Sequence, residues 1–139
     1  MSEKNIDVVL ASIDALNAGD LDAQMATYAR DAVIVFDPAT EGLGLVLPDR
    51  VVGREVLRSA VKPWQEALGF RYRASEVRAV GDHQVLCRGE LGGTGVASGI
   101  EAYDSVSTLF TLDDGLITRL EFHRDHNEAL KAAGLTVEE

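Results

Sequence analysis

The stretch at residues 14–38, DALNAGDLDAQMATYARDAVIVFDP, decides the fold of this chain. It predicts an amphipathic helix that stops at Gly19, a second helix that starts at once on Asp20, and a short apolar strand that ends on Asp37. This order is typical of helices that cover a curved sheet. It also predicts a carboxylate at the mouth of the covered space.

The reasons for this prediction are local. The apolar side chains of the first helix recur at steps of three and four residues on one face: Ile6, Val9, Leu10, Ile13 and Leu16. Gly19 can adopt the left-handed conformation that ends a helix, and Asp20 suits the N-cap of the next one. The apolar stripe continues on the second helix at Leu21, Met25 and Tyr28. The run at 32–36 is rich in β-branched residues, as strands are.

Length and composition limit the class of protein. The chain has 139 residues, of which 46% are hydrophobic and 26% are charged, which predicts one globular domain over 1–139. The 13 basic and 23 acidic residues give a net charge of −10, which argues against nucleic acid as a partner. No apolar run approaches the roughly 20 residues of a membrane span, and the polar start is unlike a signal peptide. The single Cys87 cannot form an internal disulfide, so we expect a reducing, cytoplasmic location.

The rest of the chain predicts further helices and strands. The segment at 41–48, EGLGLVLP, is either a mobile flap over an apolar space or an ordinary loop. A third helix is predicted at 54–68, with a kink or a split at Pro63 and an end at Gly69. Strands are predicted at 70–80, 83–91, 100–112 and 116–124, with a glycine-rich hairpin tip at 92–99 and a short last helix at 125–134. Their short connections predict antiparallel pairing, so the fold class is α+β, with helices packed on one face of a bent sheet.

These segments together resemble a known family. The order ALNAGDLDA, VIVFDP, GRE, LFTLDDGLITRLEF and RDHNEALKAAGL is similar to the nuclear transport factor 2-like superfamily, and within it to the SnoaL-like group. The resemblance covers nearly the whole chain. It implies a cone-shaped α+β barrel, in which helices pack on the concave face of a curved antiparallel sheet around an apolar pocket. It also implies a homodimer that forms through the outer face of the sheet.

Ketosteroid isomerase is the first enzyme of this superfamily that the chain resembles. Its general base is the aspartate of a similar Asp-Pro sequence at the end of the first strand, which here is Asp37. Its two proton donors to the developing enolate oxygen correspond to Ser12 and approximately Thr108, neither of which is the expected tyrosine or aspartate.

Limonene epoxide hydrolase is the second enzyme that the chain resembles. Its arginine between two carboxylates resembles Arg88 with Glu90 and Asp125, where Arg88 and Glu90 lie two residues apart and therefore share one face of a strand. An arginine between two carboxylates can keep one ionised as the base and leave the other as the acid. The residues that position water in that family are replaced here by approximately Val35 and Asp37.

SnoaL-type polyketide cyclase is the third enzyme that the chain resembles. It needs one carboxylate, as acid and base, at the position of Asp125. Asp125 is therefore the residue on which two of the resemblances agree.

Each candidate also has a structural interpretation. Asp125 can be the N-cap of the last helix, which is worth roughly 1 kcal/mol. Arg88 and Glu90 can be a solvated pair on a strand, and Asp37 can be a turn residue. A metal site at His123 and His126 is not expected, because a third ligand is missing. His123 fits better as a hydrogen-bonding group or proton shuttle of the pocket, whose remaining predicted wall residues are Tyr28, Trp64, Thr108 and Phe110.

The sequence thus predicts an acid–base enzyme that needs no cofactor and no metal. Its substrate would be a small hydrophobic molecule, and its reaction an epoxide hydrolysis, a cyclisation or an isomerisation. The predicted catalytic residues are Asp125, supported by Arg88 and Glu90, with Asp37 in reserve. The alternative is a homodimeric binding or interaction module that does no chemistry. Carboxylates inside a closed pocket favour the enzyme, whereas a wholly apolar interior favours the binding module.

Overall fold

A computed structural model describes residues 2–36, 50–69, 71–95 and 98–136. It is an α+β fold with a six-stranded, curved sheet and helices packed against it. The helices are α1 (Ser2–Ala18), α2 (Leu21–Met25), α3 (Arg54–Leu68) and α4 (His126–Ala132). The strands are β1 (Tyr28–Phe36), β2 (Arg50–Val52), β3 (Arg71–Val80), β4 (Gln84–Thr94), β5 (Glu101–Asp113) and β6 (Leu116–His123).

The two N-terminal helices divide where the sequence predicts. Gly19 follows α1 with a φ of 73°, and the Asp20 carboxylate accepts a hydrogen bond from the backbone N–H of Ala23 at 3.0 Å. The prediction that Tyr28 lies on the second helix is wrong, because α2 ends at Met25 and Tyr28 begins β1. Pairing with β6 explains this difference, since the Ile117 N–H donates to the carbonyl of Thr27 at 2.9 Å and draws the chain into the sheet.

The sheet has the order β2-β1-β6-β5-β4-β3 and is not closed, so β2 and β3 are its edges. The predicted antiparallel pairing of β3, β4, β5 and β6 is confirmed. The structure adds a parallel pairing of β1 with β6 and the short strand β2. Connection length could not predict the parallel pair, because its strands are distant in the sequence. Strand β4 runs on through Gly92 and Gly93, so the predicted hairpin tip is shorter than 92–99.

Helix α3 has the predicted bounds. It continues through Pro63 without a split and ends at Gly69, which has a φ of 54°. The predicted flap at 41–48 lies outside the described residues. None of the helices in the described ranges is long and apolar enough to cross a membrane.

The two faces of the sheet have different neighbours. The inner face packs against α1 and α3, where Ile34, Cys87 and Phe110 share one buried cluster with Val9 and Leu57. The outer face is partly covered by α4. There a second cluster joins Leu86 and Leu109 of the sheet to Ala129 and Leu130 of the helix. Candidate residues can therefore be assigned to one face or the other by their register.

Candidate functional site

Strand β5 sets the polar character of the inner face. Val106, Thr108 and Phe110 alternate on this face, and all three are buried. Thr108 lies opposite Cys87 of β4 and Phe122 of β6, and only 2% of its surface is exposed. Its Oγ1 has no hydrogen-bond partner. The inner face thus holds a buried hydroxyl group that lies beside Tyr72 and Cys87 without a well-formed hydrogen bond.

Tyr72 brings a second hydroxyl to the same region. Its ring is buried on the inner face, and its hydroxyl donates to the carbonyl of Val106 at 3.3 Å. Burial holds the pKa of Tyr72 well above its usual 10, although the neighbouring Thr108 hydroxyl lowers it somewhat. Burial likewise raises the pKa of the Cys87 thiol from 9.0 to about 12, again against a lowering effect of Thr108. All three groups are therefore neutral at physiological pH.

Tyr28 forms a second polar group with residues of the two N-terminal helices. Its hydroxyl interacts with Ser12 on α1 and with Gln24 on α2. Burial raises the pKa of Tyr28 from 10.0 to about 12, and these two hydrogen bonds oppose the rise. The Oε1 of Gln24 is buried and has no hydrogen-bond partner. The Tyr28 group thus resembles the Thr108 group in being neutral and incompletely hydrogen-bonded.

The buried part of the described chain contains no charged side chain. Its buried polar side chains, apart from tyrosine and cysteine, are Asn5, Ser12, Gln24, Ser107 and Thr108. An ionised carboxylate would be costly in such surroundings unless it had a partner. The buried part of the inner face is therefore equipped to donate and accept hydrogen bonds, while its described residues include no ionised base.

Arg88, Glu90 and Asp125 do come together, as the sequence predicts, but on the outer face. They line one cavity of about 630 Å³, together with Arg73 and His126. The sequence left open which face of the sheet they occupy. Register explains the outcome, because Val85, Cys87 and Leu91 occupy the inner face of β4 and leave its alternate residues to the outer face.

Asp125 acts as the N-cap of α4. Its Oδ1 accepts a hydrogen bond from the backbone N–H of Asn127 at 2.9 Å. The next residue, His126, places its Nδ1 2.7 Å from the buried Oγ of Ser107 on β5. The start of α4 is thereby attached to the sheet, and the structural interpretation of Asp125 is confirmed. A catalytic role for Asp125 in the outer cavity stays a prediction.

Ion pairs surround this outer cavity. Arg73 contacts Glu101 at 2.8 Å, and its guanidinium lies 3.6 Å from the centre of the Tyr103 ring. Arg124 contacts Asp104 at 2.9 Å. These contacts are partly exposed to solvent, so each adds little to stability. Arg73 and Glu101 lie on the outer face, whereas Asp104 pairs with Leu91 of β4 and shares its inner face.

The remaining predicted residues are divided between the two faces. Phe110 and Tyr28 are buried with the inner cluster, while Asp37 lies outside the described residues. Trp64 lies on α3, and its side chain is not among the described ones. His123 pairs with Ser107, and its Nε2 lies 3.6 Å from a carboxylate oxygen of Glu121. Its contribution to a pocket stays a prediction. No group of three metal-binding side chains occurs in the described ranges.

Two inner-face residues, Gln24 and Tyr72, were not recognised as candidates in the sequence, and Ser12 was named only as a residue that replaces an expected proton donor. Tyr72 had a signal, because a lone aromatic residue between Arg71 and Arg73 suggests a strand position that points inward. Gln24 had none, since a polar residue in a short helix is usually solvent-exposed.

Comparison with known proteins identifies the family of the chain. The model of the SnoaL-like domain matches residues 9–120, which is most of the chain and includes both polar groups of the inner face. The chain belongs to the SnoaL-like domain family. The resemblance inferred from the sequence to this group is therefore confirmed, and a solved protein described as nuclear transport factor 2-like shares its fold.

Solved structures share the fold of this SnoaL-like chain. A Bacillus subtilis protein provisionally named an isomerase is 19% identical over 99% of this chain and 97% of its own, with a TM-score of 0.74. A provisionally named polyketide cyclase from Xanthomonas campestris pv. campestris is 19% identical over 95% of this chain and 98% of its own, with a TM-score of 0.69. A Mycobacterium tuberculosis protein in complex with estradiol-17β-hemisuccinate is 16% identical over 88% of this chain and 94% of its own, with a TM-score of 0.73.

The TM-scores establish a common fold, whereas the low sequence identities leave the activity of the SnoaL-like chain open. No curated protein matches the sequence. The function therefore has to be argued from the side chains of this chain itself.

Proposed function

We propose that this SnoaL-like protein binds a small, uncharged and largely apolar molecule on the inner face of its sheet. The observation that carries the proposal is the pair of unpartnered polar atoms, Thr108 Oγ1 and Gln24 Oε1, within an otherwise apolar interior. A buried polar atom without a partner costs free energy in the unliganded protein. A ligand that hydrogen-bonds to it removes this cost.

The neutrality of the interior determines the class of ligand. Tyr28, Tyr72 and Cys87 stay protonated well above neutral pH, and the described buried side chains include no cation or anion. A charged molecule would lose its hydration without gaining a partner. A protein of the same fold that is solved with estradiol-17β-hemisuccinate supports a ligand with a large apolar body, although the hemisuccinate group of that compound carries a carboxylate.

Acid–base catalysis is the second candidate, and one specific observation favours it. The two positions that correspond to the proton donors of ketosteroid isomerase are Ser12 and approximately Thr108. Each lies beside a tyrosine hydroxyl, Tyr28 in the first case and Tyr72 in the second. A protonated tyrosine can donate to a developing enolate oxygen. In this reaction Asp37, which follows β1 in the sequence, is the base.

Binding can be tested with an apolar fluorescent dye. We expect 8-anilinonaphthalene-1-sulfonate, a dye with a large apolar surface, to be a poor probe because it is charged, and uncharged Nile red to bind and brighten. Val106→Phe fills the inner face and should abolish this signal. Ser105→Phe places the same ring on the exposed outer side of the same strand and should leave the signal unchanged.

The outcome separates the candidates. Equal loss of the signal in both variants would contradict binding on the inner face, provided that both keep the circular dichroism spectrum of the wild type. Catalysis can be followed as exchange of α-hydrogens of uncharged ketones with deuterium in D₂O, measured by NMR. Exchange that disappears in Asp37→Asn and Tyr72→Phe supports the enzyme, and exchange that persists in both excludes this mechanism.

The proposed partner of the protein is a second copy of the same chain, bound through the outer face. Arg73 and Arg124 line the outer cavity, and Glu101 lies beside Arg73, so this surface carries both signs of charge, as suits a surface that meets its own copy in a two-fold dimer. Light scattering should therefore give twice the mass of the chain. The charge-reversed variant Arg124→Glu should shift the mass toward the monomer, whereas Arg58→Glu, on α3, should not. A monomeric wild type would contradict this proposal.

A further inference from the structure

We propose that the outer cavity is a second site, in which Ser107 as nucleophile and His126 as base hydrolyse small polar esters. Both side chains line the cavity of about 630 Å³, and a cavity of this size admits a small molecule. Ser107 is 2% exposed, so a substrate reaches its hydroxyl from this cavity. The site is independent of the binding proposed above, because it lies on the opposite face of the sheet.

The contact between the two side chains has the geometry of an activated hydroxyl group. Ser107 Oγ lies 2.7 Å from His126 Nδ1, within the roughly 2.6–3.2 Å over which a nucleophile and its base share a hydrogen bond. In the tautomer that carries its proton on Nε2, the imidazole accepts from the Ser107 hydroxyl. Serine alone is a weak nucleophile, and a base at this distance removes its proton as the oxygen attacks.

The attachment of α4 to the sheet does not explain this contact. The helix already has its N-cap in Asp125, and an apolar cluster joins Leu109 of the sheet to Leu130 of the helix. An apolar residue at position 107 would extend this cluster without burying a polar group. The Ser107 hydroxyl therefore has a use beyond packing.

Arg88 lies where negative charge develops during attack on an ester. It pairs with Ser107 across β4 and β5 and lines the same cavity. Side chains directly opposite each other in an antiparallel pair have Cβ atoms about 4.5–5.5 Å apart. The carbonyl oxygen of the ester becomes an oxyanion, and a guanidinium in this position stabilises it.

The wall of the cavity determines the class of ester. Four further charged side chains line it: Arg73, Glu90, Arg124 and Asp125. A long apolar chain would gain little against such a wall, because charged groups keep their hydration. The substrate is therefore an ester with a short acyl group and a polar alcohol.

The reaction has two steps. In the first, Ser107 Oγ bonds to the ester carbonyl carbon, its proton passes to His126, and the carbonyl electron pair moves onto the oxygen. The bond to the alcohol oxygen then breaks, and the alcohol leaves with the proton from His126. In the second step, water attacks the acyl-serine and gives a proton to His126, and the acid is released as Ser107 Oγ takes this proton back.

Phenylmethylsulfonyl fluoride tests the assignment, because it sulfonylates an activated serine with loss of fluoride. We expect intact-protein mass spectrometry of the wild type to show a single adduct, and peptide mapping to locate it on Ser107. Hydrolysis of 4-nitrophenyl acetate, followed by the release of 4-nitrophenolate, measures the turnover. The proposed dimer uses the same face of the sheet, so both are measured over a series of protein dilutions.

Variants separate the roles of the three residues. Ser107→Ala should abolish the adduct and the turnover, and His126→Gln should slow both about a hundredfold, as the loss of a general base does. Arg88→Ala should slow the turnover about tenfold, because solvent partly screens an exposed guanidinium. The matched controls, Ser59→Ala on α3 and His83→Gln between β3 and β4, are exposed and outside the cavity and should change neither. Circular dichroism checks that each variant is folded.

Three outcomes would overturn the esterase site. An adduct on another residue, or no adduct at any dilution, does so on the wild type alone. Turnover that persists in folded Ser107→Ala does so as well, because the ester is then hydrolysed elsewhere. Labelling that is equally fast in His126→Gln removes His126 as the base. Binding on the inner face is unaffected by these outcomes, since Nile red measures it separately.

Discussion

The side chain of Asn17 pairs with the backbone of Tyr72 as a neighbouring strand would. Its Nδ2 donates to the Tyr72 carbonyl at 3.0 Å, and its Oδ1 accepts from the Tyr72 N–H at 2.8 Å. Since β3 is an edge strand, these two groups would otherwise lack partners in the sheet. Helix α1 thus supplies hydrogen-bond partners to the backbone of the edge strand β3 at Tyr72, whose side chain enters the inner face.

Asn17→Ala should lower the free energy of unfolding by about 2 kcal/mol, because two hydrogen bonds are lost at a partly buried edge. Unfolding in urea, followed by circular dichroism, measures this change. Asp14→Ala is the matched control, since Asp14 is exposed on the same helix, and it should have little effect. Equal values for both variants would mean that the Asn17 contacts contribute no net stability.

Thr108→Val should raise the free energy of unfolding of the unliganded protein by about 1 kcal/mol. Valine has nearly the same shape as threonine and removes a buried oxygen that has no partner. Thermal unfolding without ligand is the measurement. Destabilisation by this substitution would show that the Thr108 hydroxyl is already satisfied in the free protein.

Asp125→Ala should lower the free energy of unfolding by about 1 kcal/mol, because α4 loses its N-cap. Asp125→Asn keeps an oxygen that can accept from the backbone N–H of Asn127 and should lose much less. The two variants are compared by unfolding in urea. If both lose the same stability, the charge of Asp125 matters more than its hydrogen bond.

Gly89→Ala should destabilise the protein by about 3 kcal/mol. A Cβ at Gly89 would lie 2.2 Å from the backbone carbonyl oxygen of Arg73, so strands β3 and β4 would have to separate. Ser105→Ala, on the other neighbour of β4, is the control and should change stability by less than about 0.5 kcal/mol. A Gly89→Ala variant as stable as the wild type would mean that the strands separate there at little cost.

Stability should fall in alkaline solution between about pH 9 and pH 12. The pKa of Cys87 rises from 9.0 to about 12 and that of Tyr28 from 10.0 to about 12 on folding, in both cases through burial. The unfolded chain therefore releases these protons first, and the free energy of unfolding decreases as the pH rises through this window. Circular dichroism measured as a function of pH follows the transition.

Tyr28→Phe removes one of these ionisations, so its stability should decrease less steeply above pH 10 than that of the wild type. The comparison uses the slope with pH and is therefore independent of any change in stability at neutral pH. Identical slopes would contradict the prediction that Tyr28 ionises only on unfolding.

The local pattern of the sequence determined most of the helices, the hairpins and the family. The break at Gly19, the cap at Asp20 and the bounds of α3 depend on neighbouring residues, whose propensities act over a few positions. The N-cap at Asp125 likewise depends on neighbouring residues. The order of these segments then sufficed to recognise the SnoaL-like group.

Only the tertiary structure decided which groups share a site. Alternation requires that Arg88 and Glu90 point the same way, yet it does not say to which face, and a shift of one residue reverses the answer. The strand residues that pack against α1 and α3 put these charges on the outer face. Thr108 meets Tyr72, and Ser12 meets Tyr28, through strand register and helix packing. The sequence could not predict these contacts, because residues that are distant in the chain leave no periodic pattern when they touch.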